Sequence, residues 1–167
     1  MAQVYPAPAG LWQPPPGSRI RRALPTDNIV GHIRQIYEEF LLEFDLDFED
    51  DLRSVGESYA SGAFWVVEDA LGIVATGAVA PGGAARVVKR MYVAPRGRRS
   101  GLARGLLRHC MAWGDFAWTE LWSDVRFRSA HRLYMSEGFV PGPTRVLADP
   151  DRSVERYFRL AAPRRSP

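Results

Sequence analysis

Near the middle of the sequence lies the segment Met91-Tyr92-Val93-Ala94-Pro95-Arg96-Gly97-Arg98-Arg99-Ser100-Gly101-Leu102-Ala103-Arg104-Gly105-Leu106-Leu107. An apolar strand precedes Pro95, which turns the chain, and a helix is predicted to begin around Gly101. The first turn of a helix leaves about four backbone N–H groups without helical partners. Small residues at Ser100, Gly101 and Ala103 let a ligand approach these groups closely. The segment is therefore predicted to bind an anionic group such as a phosphate.

Arginine side chains surround the predicted anion site. They are Arg96, Arg98, Arg99, Arg104 and Arg108. A guanidinium group adds positive charge and can contact a phosphate through two hydrogen bonds. An ordinary strand-to-helix turn with solvated arginines is the alternative interpretation. The segment lacks the Gly-Lys-Ser/Thr ending of a Walker loop and the G-x-G-x-x-G pattern of dinucleotide-binding folds.

Apolar periodicity and turn residues place the other elements on both sides of this segment. Pro25-Thr26-Asp27 predicts the start of a helix, with a side chain able to cap its first amides. The acids Glu49-Asp50-Asp51 predict a second helix, because they complement the positive end of a helix dipole. Strands are predicted over 18–24, 64–68, 72–79, 85–93, 120–125, 138–140 and 154–160, and further helices over 101–113 and 129–137. This order predicts one mixed sheet covered by helices.

Two motifs resemble the GNAT superfamily of N-acetyltransferases. Arg98-Arg99-Ser100-Gly101-Leu102-Ala103 is similar to its R/Q-x-x-G-x-G/A signature. Ala130-His131-Arg132-Leu133-Tyr134-Met135-Ser136-Glu137-Gly138-Phe139 is similar to its A-x-x-L-Y-x-x-x-G-F block. The two motifs occur in the family's order, and the resemblance covers roughly residues 18–160.

The resemblance implies an α/β (α+β) fold with a single mixed, mostly antiparallel, twisted sheet of about seven strands and helices on both faces. In this family the strand before the signature carries a bulge and splays from its parallel neighbour, here residues 121–125, and the acetyl group sits in the opening. One acetyltransferase domain is expected over residues 18–160. It is flanked by a Pro-rich tail at 1–17, loose or laid over the surface, and a basic tail at 161–167.

The resemblance also implies acetyl-CoA as the co-substrate. Amides of residues 98–104 would bind its pyrophosphate, and backbone groups of Met91 and Val93 would pair with its pantetheine arm. The implied binding residues are Met91, Tyr92, Val93, Arg98, Arg99, Ser100, Gly101, Leu102, Ala103, Arg104, Phe127 and His131. Phe127 stands where many relatives have an asparagine that contacts pantetheine, so one contact is expected to change. For His131, which lies three positions before Tyr134, a packing role is the alternative.

Acetyl transfer to an amine needs a proton donor for the leaving thiolate and an acceptor for the amine proton. Tyr134 matches the family's tyrosine beside the coenzyme sulfur, and its hydroxyl can donate a hydrogen bond or a proton. Relatives often carry a glutamate where this chain has Val87. Asp124 and Glu68 are the substitute candidates for the base, directly or through a water. A turn or capping carboxylate is the alternative interpretation of Asp124.

The predicted first two helices and their connection are rich in acids. They contain Glu38, Glu39, Glu43, Asp45, Asp47, Glu49, Asp50 and Asp51, interleaved with Phe40, Phe44, Leu46 and Phe48. Carboxylates beside aromatic rings suit a cationic amine. We therefore expect an N-acetyltransferase that modifies a primary amine of a small, cationic molecule in a ternary complex. A solvated acidic face, and a peptide or protein amine as acceptor, are the alternatives.

Composition limits the other functions. The net charge of +3 and the absence of aromatic residues among the arginines argue against a nucleic-acid binder. Cys110 is the only cysteine, which argues against an internal disulfide and a multi-cysteine metal site. Neither an apolar run long enough for a membrane span nor a signal peptide is recognisable. A cytoplasmic protein without a metal or a membrane partner is therefore predicted. The frequency of dimers among symmetric oligomers and the family's habit favour a homodimer. A non-catalytic acyl-CoA sensor is the remaining alternative, because of Val87.

Overall fold

The computed structural model describes residues 12–162, so residues 1–11 and 163–167 of the predicted tails lie outside the described residues. The strands are β1 Arg19–Arg22, β2 Ala63–Asp69, β3 Gly72–Gly82, β4 Ala85–Val93, β5 Trp118–Asp124, β6 Val140–Val146 and β7 Val154–Ala161. The helices are α1 Ile29–Glu39, α2 Val55–Ser58, α3 Leu102–Met111 and α4 Arg128–Ser136, with 3-10 turns at Asp50–Leu52 and Pro95–Gly97. None of the described helices has the length and apolar character needed to cross a membrane.

The described strands form one seven-stranded sheet in the order β1-β2-β3-β4-β5-β7-β6. Neighbouring strands are antiparallel except β4 and β5, which are parallel. The parallel pairing is limited to Ala85–Val87 against Trp118–Glu120, after which the two strands separate. The predicted mixed, mostly antiparallel sheet with a splayed parallel pair is confirmed.

Side chains of β2 alternate between two helix layers, as the two-residue period of a strand requires. Ala63, Trp65 and Val67 pack in a core cluster with side chains of α3 and α4. Phe64 and Val66 pack in a second cluster with side chains of α1 on the opposite face. Helices therefore cover both faces of the sheet, as predicted.

The N-terminal end of α1 is capped by Asn28, whose side-chain oxygen accepts a hydrogen bond from the Gly31 N–H at 3.0 Å. The helix begins at Ile29 as expected, but the expectation that Pro25-Thr26-Asp27 supplies the cap is wrong. The Asp27 carboxylate instead accepts two hydrogen bonds of 2.8 Å from the Arg21 guanidinium. The bidentate ion pair takes up the oxygens that the helix amides would need.

Two predicted elements have different bounds in the structure. The second helix is reduced to a 3-10 turn and the four-residue α2, because Glu49 and Asp51 pair with Arg90 of β4. The strand predicted over 138–140 lies further along, at Val140–Val146. Two prolines in β6 hid its strand pattern. They are tolerated because β6 is an edge strand that pairs with β7 alone.

The end of the Pro-rich tail that the structure describes lies against α3. A Cβ atom built on Gly105 would be 2.0 Å from the indole of Trp12, so the ring rests directly on the helix backbone. Trp12 is partly buried against the main core cluster. This part of the tail is therefore laid over the surface of the domain.

The buried His32 gives a prediction for the pH dependence of stability. Its side chain is 7% exposed, and burial lowers its pKa from 6.5 to about 4, although backbone groups of Tyr92 and Ile73 partly offset this. Above pH 6.5 the imidazole is neutral in both states, whereas below it the unfolded chain takes up the proton first. We expect the free energy of unfolding to fall by up to about 3 kcal/mol between pH 6.5 and 4 on account of this residue.

Urea unfolding between pH 7.5 and 5 of the wild type and of His32→Gln measures this effect. The variant should lose less stability on acidification than the wild type, and the difference isolates His32 from the other two histidines. Equal slopes in the two proteins would show that His32 is not the responsible group.

Candidate active site

A cavity of about 790 Å³ lies where β4 and β5 diverge. The turn before α3 forms one end of it, and the β6–β7 loop forms the other. The segment after α1 closes over the cavity: the rings of Phe40 and Phe127 are 4.8 Å apart, and the Glu43 N–H donates to Asp151 at 2.7 Å. The cavity is thus lined by the predicted donor turn and by the acidic segment after α1, together with the β6–β7 loop.

A bulge in β4 opens this cavity. Thr76 pairs with Tyr92 and Ala78 pairs with Lys89, so two residues of β4, Arg90 and Met91, lie opposite Gly77 alone. Arg90 has a left-handed backbone with φ of 57°. The extra residue adds local twist and bends the strand away from its neighbour. The implied bulge and splay are both confirmed by the pairing of the strands.

The turn before α3 presents backbone donors to the cavity. Arg99 and Gly101 have positive φ values of 61° and 80°, and Gly101 caps the helix without a side-chain hydrogen bond. The first helical bond runs from the Gly105 N–H to the Gly101 carbonyl at 2.9 Å, and within residues 12–162 the amides of 99–104 donate no backbone hydrogen bond. Free amides at a helix N-terminus fit a pyrophosphate group.

Most arginines around this turn are paired with carboxylates of the protein. Arg96 pairs with Asp69, Arg98 with Glu39, and both Arg104 and Arg108 pair with Glu137. The guanidinium of Arg99 has no hydrogen bond or ion pair with any residue that the structure describes, and it lines the cavity. The arginines of the predicted cluster therefore mainly form ion pairs that connect different elements of the fold. Among the described residues of this cluster, only Arg99 remains available to a ligand.

Tyr134 lies on the wall of the cavity and is 4% exposed. Its ring packs 5.4 Å from that of Phe158 and 6.0 Å from that of Phe139. Burial raises the pKa of the phenol, and a hydrogen bond with Ser123 only partly opposes this. The hydroxyl is therefore protonated at neutral pH and able to donate.

Asp124 also lines the cavity, at the end of β5, and is 8% exposed. Its oxygens accept hydrogen bonds from the Arg126 side chain at 2.9 and 2.6 Å and from the Arg126 amide at 2.8 Å. Burial would raise the pKa of this carboxyl, but the hydrogen bonds and charge of Arg126 outweigh it, so the pKa is lowered. Asp124 is therefore held as a carboxylate, which makes it a hydrogen-bond acceptor and a weak base.

A family model described as the acetyltransferase (GNAT) domain matches residues 60–141, which contain the bulged strand, the arginine–glycine turn and Tyr134. Residues 60–141 form a GNAT acetyltransferase domain. GNAT enzymes use acetyl-CoA, and the expectation of an acyl-CoA-dependent acetyltransferase is confirmed at the level of the family. No curated protein matches the chain at a significant level.

Solved GNAT structures share the fold at low identity. An acetyltransferase of the GNAT family from Staphylococcus aureus Mu50 is 20% identical, over 86% of this chain and 98% of its own, with a TM-score of 0.73. The spermidine N-acetyltransferase from Vibrio cholerae, in complex with CoA and spermine, is 16% identical, over 87% of this chain and 95% of its own, with a TM-score of 0.58. The ribosomal-protein-alanine N-acetyltransferase from Brucella melitensis is 14% identical, over 86% of this chain and 99% of its own, with a TM-score of 0.63.

The GNAT site brings together nearly all of the residues predicted to bind acetyl-CoA. Those on the cavity wall are Met91, Tyr92, Val93, Arg98, Arg99, Gly101, Leu102, Ala103, Arg104 and Phe127. Ser100 and His131 are not on that wall. The Ser100 hydroxyl donates to the Gly97 carbonyl at 2.7 Å, and the His131 ring packs 4.8 Å from that of Phe158. The packing alternative for His131 fits this placement, and the other contacts with acetyl-CoA stay a prediction.

The two other positions considered for the base lie elsewhere in the GNAT domain. Glu68 is outside the cavity and pairs with Arg19 and Arg21 near β1. Val87 does not line the cavity either, because the cavity begins at Val88 where β4 leaves β5. The identity of residue 87 therefore neither adds a base to the cavity nor removes one from it.

Several residues of the site were not found from the sequence. They include Tyr37, Arg90, Arg126, Arg128, Asp149 and Asp151, all on the cavity wall. The acids at 149 and 151 flank Pro150 between the strands predicted over 138–140 and 154–160, and Tyr37 lies in the helix predicted to start near Asp27. For Arg90 the sequence contains no signal, since nothing in it marks a left-handed arginine in a strand.

Arg99 gives a prediction for donor binding. Arg99→Ala is expected to weaken acetyl-CoA binding about tenfold, because it removes a guanidinium that is available for charge-assisted phosphate contacts. Arg96→Ala is the control, since Arg96 pairs with Asp69 and should change the Kd less than about twofold. Titration calorimetry of both variants checks the difference. Equal weakening by the two substitutions would contradict a special role of Arg99.

Proposed function

We propose that the chain transfers the acetyl group of acetyl-CoA to a primary amine of a small, cationic molecule by direct attack in a ternary complex. The observation that carries the proposal is the opening between β4 and β5. It has free helix amides at one end, the Tyr134 hydroxyl on its wall and carboxylates at the other end. This arrangement supplies a place for the anionic donor, a proton donor and a place for a positively charged acceptor.

The acceptor class is supported by three cavity carboxylates that form no ion pair within the described residues, although Asp149 and Asp151 also act electrostatically on Arg126. Glu49, Asp51 and Glu39, which belong to the predicted acidic region, form ion pairs with arginines. Glu43, Asp149 and Asp151 line the cavity and form no ion pair within the described residues. Unpaired carboxylates beside the Phe40 and Phe127 rings favour a cation. The Vibrio cholerae enzyme, solved with spermine, shows that this fold accommodates such an acceptor.

In the proposed reaction the amine nitrogen attacks the thioester carbon, a C–N bond forms and the C–S bond breaks. Tyr134 donates a hydrogen bond or its proton to the departing thiolate. Asp124, directly or through a water, accepts the proton that the amine loses. In this proposal a backbone N–H near Val93 polarises the thioester carbonyl, as the family resemblance implies. Burial raises the pKa of Tyr134, so it favours donation of a hydrogen bond to the thiolate over full transfer of the proton.

The alternative of a non-catalytic acyl-CoA sensor depended on Val87. Because Val87 lies outside the cavity, the structure offers no support for that alternative. A peptide or protein amine is the second candidate acceptor, because the Brucella melitensis structure is that of a ribosomal-protein-alanine N-acetyltransferase. The amine screen below distinguishes the two candidates.

Thiol release from acetyl-CoA across a panel of amines tests the proposal. We expect aliphatic diamines and polyamines to have the highest kcat/KM, neutral amino alcohols lower values, and Tyr134→Phe to reduce kcat about 10- to 100-fold for the best amine. Acetyl-CoA binding by Tyr134→Phe should change little, which serves as the control for folding. Tight acetyl-CoA binding without turnover of any amine or peptide would overturn the assignment.

A further inference from the structure

A charged cluster lies beside the acetyl site. It consists of Arg90 in the β4 bulge and Glu49 and Asp51 in the segment between α1 and α2, and is called the Arg90 cluster below. The two Nη atoms of Arg90 donate to Glu49 and Asp51, and its Nε lies 3.1 Å from Asp51 Oδ2. The side chains are 10%, 18% and 15% exposed for Arg90, Glu49 and Asp51. Removing one partner of so buried a pair leaves an uncompensated charge.

Residue 90 has a conformation that a side chain disfavours. Its φ of 57° is left-handed, which glycine adopts freely and other residues adopt at a cost. The Thr76 hydroxyl donates to the Arg90 carbonyl at 2.9 Å, and the two carboxylates hold the guanidinium. A strained conformation persists only where its surroundings determine it. The Arg90 cluster provides those surroundings.

The bulge determines how the following residues meet the cavity. Met91, Tyr92 and Val93 come directly after Arg90, and all three line the cavity. The extra residue shifts their register against β3, and pairing of β4 with β5 ends at Val87. A regular strand at residue 90 would change which face of the strand these residues present. The backbone conformation of one arginine therefore sets the geometry of the acetyl site.

We propose that Glu49 and Asp51 are positioning residues, which hold residue 90 in the left-handed conformation and so maintain the bulge at the acetyl site. This inference rests on the proposed function. Both acids belong to the segment after α1 that also places Phe40 and Glu43 on the cavity wall. The Arg90 ion pairs therefore connect this segment on the acceptor side to the bulge of β4. The Tyr37 hydroxyl, which donates to Glu49 at 2.7 Å, connects the cluster to α1.

Two triple variants with the same neutralised acids test the inference. Both carry Glu49→Gln and Asp51→Asn; one adds Arg90→Met and the other adds Arg90→Gly. Glycine adopts the left-handed conformation without support, whereas methionine fills more of the vacated space. We expect kcat of the glycine variant to exceed that of the methionine variant about tenfold, with tighter acetyl-CoA binding in the same order. Thermal unfolding of both variants checks that they are folded.

A merely structural role of the cluster predicts the opposite order, because methionine preserves packing. With an active wild type, a glycine variant that is no better than the methionine variant in kcat and in the Kd for acetyl-CoA overturns the inference. A wild type that neither binds acetyl-CoA nor acetylates any amine contradicts the proposed function instead. If the triple variants do not fold, Glu49→Gln and Asp51→Asn are tested singly, because Arg90 then keeps one carboxylate partner. Each is expected to lower kcat and to weaken acetyl-CoA binding, and unchanged values in both variants overturn the inference.

Discussion

Gly101→Asp is expected to raise the Kd for acetyl-CoA at least about 100-fold, because it places a carboxylate at the helix N-terminus that would otherwise receive the pyrophosphate. Gly101 caps α3 with φ of 80°, and a Cβ atom at this position meets no atom within 4 Å. Aspartate is among the residues that tolerate a left-handed backbone, so the fold should survive. The loss is thus an effect of charge at the free amides of the turn, and titration calorimetry with acetyl-CoA measures it.

Gly83→Asp is a matched control for this substitution. Gly83 lies in the turn between β3 and β4, has φ of 67° and also has open space at its Cβ position. It is remote from the cavity wall, so this variant should bind acetyl-CoA within about twofold of the wild type. Unchanged binding by Gly101→Asp, or equal weakening by both variants, would mean that the pyrophosphate does not lie at this helix end.

Arg86→Met is expected to lower the free energy of unfolding by about 3 kcal/mol, because it removes three hydrogen bonds that a buried guanidinium donates. Arg86 is 8% exposed and donates to the Trp113 carbonyl at 2.6 Å, the Gly114 carbonyl at 2.8 Å and the Thr119 hydroxyl at 2.9 Å. The two carbonyls follow α3, which ends at Met111, and a cation near this helix end also complements the helix dipole. Burial lowers the pKa of Arg86, although charges of neighbouring groups oppose this.

Urea unfolding of Arg86→Met and of Arg159→Met distinguishes this buried role from a general effect of losing an arginine. Arg159 is exposed and lies 4.5 Å over the Trp118 ring, so its replacement should cost no more than about 1 kcal/mol. A loss of similar size in both variants would show that the carbonyls of residues 113 and 114 find other donors. Activity of Arg86→Met at low temperature should remain, since Arg86 is not on the cavity wall.

The donor side of the site was predictable because its determinants are local. A helix N-terminus, small residues and a proline-introduced turn act over about ten consecutive residues, so the order of residues 95–105 is enough to predict free amides. Tyr134 was predictable through a second local block that resembles the family's. Location in the cytoplasm, a homodimer and the identity of the base stay predictions.

The acceptor side was less predictable because its determinants are pairings between distant segments. Eight acids looked alike in the sequence, yet the fold pairs Glu39 with Arg98, Glu49 and Asp51 with Arg90, and leaves Glu43 unpaired. Asp149 and Asp151 join Glu43 from a loop more than one hundred residues away. Whether a carboxylate is available to a ligand depends on whether the fold brings an arginine within ion-pair distance of it.

The sequence by itself determined the order of strands and helices and the turn that presents free amides, because propensity, periodicity and the first turn of a helix depend on near neighbours. The splayed parallel pair was implied by the resemblance of two motifs to the GNAT family. Only the tertiary structure decided that Arg99 alone among its neighbours is available to a ligand, that Asp124 is held by Arg126, and that residue 90 is left-handed. Those properties arise from charges and backbone groups brought together by the sheet, and their energies depend on distances that no local pattern contains.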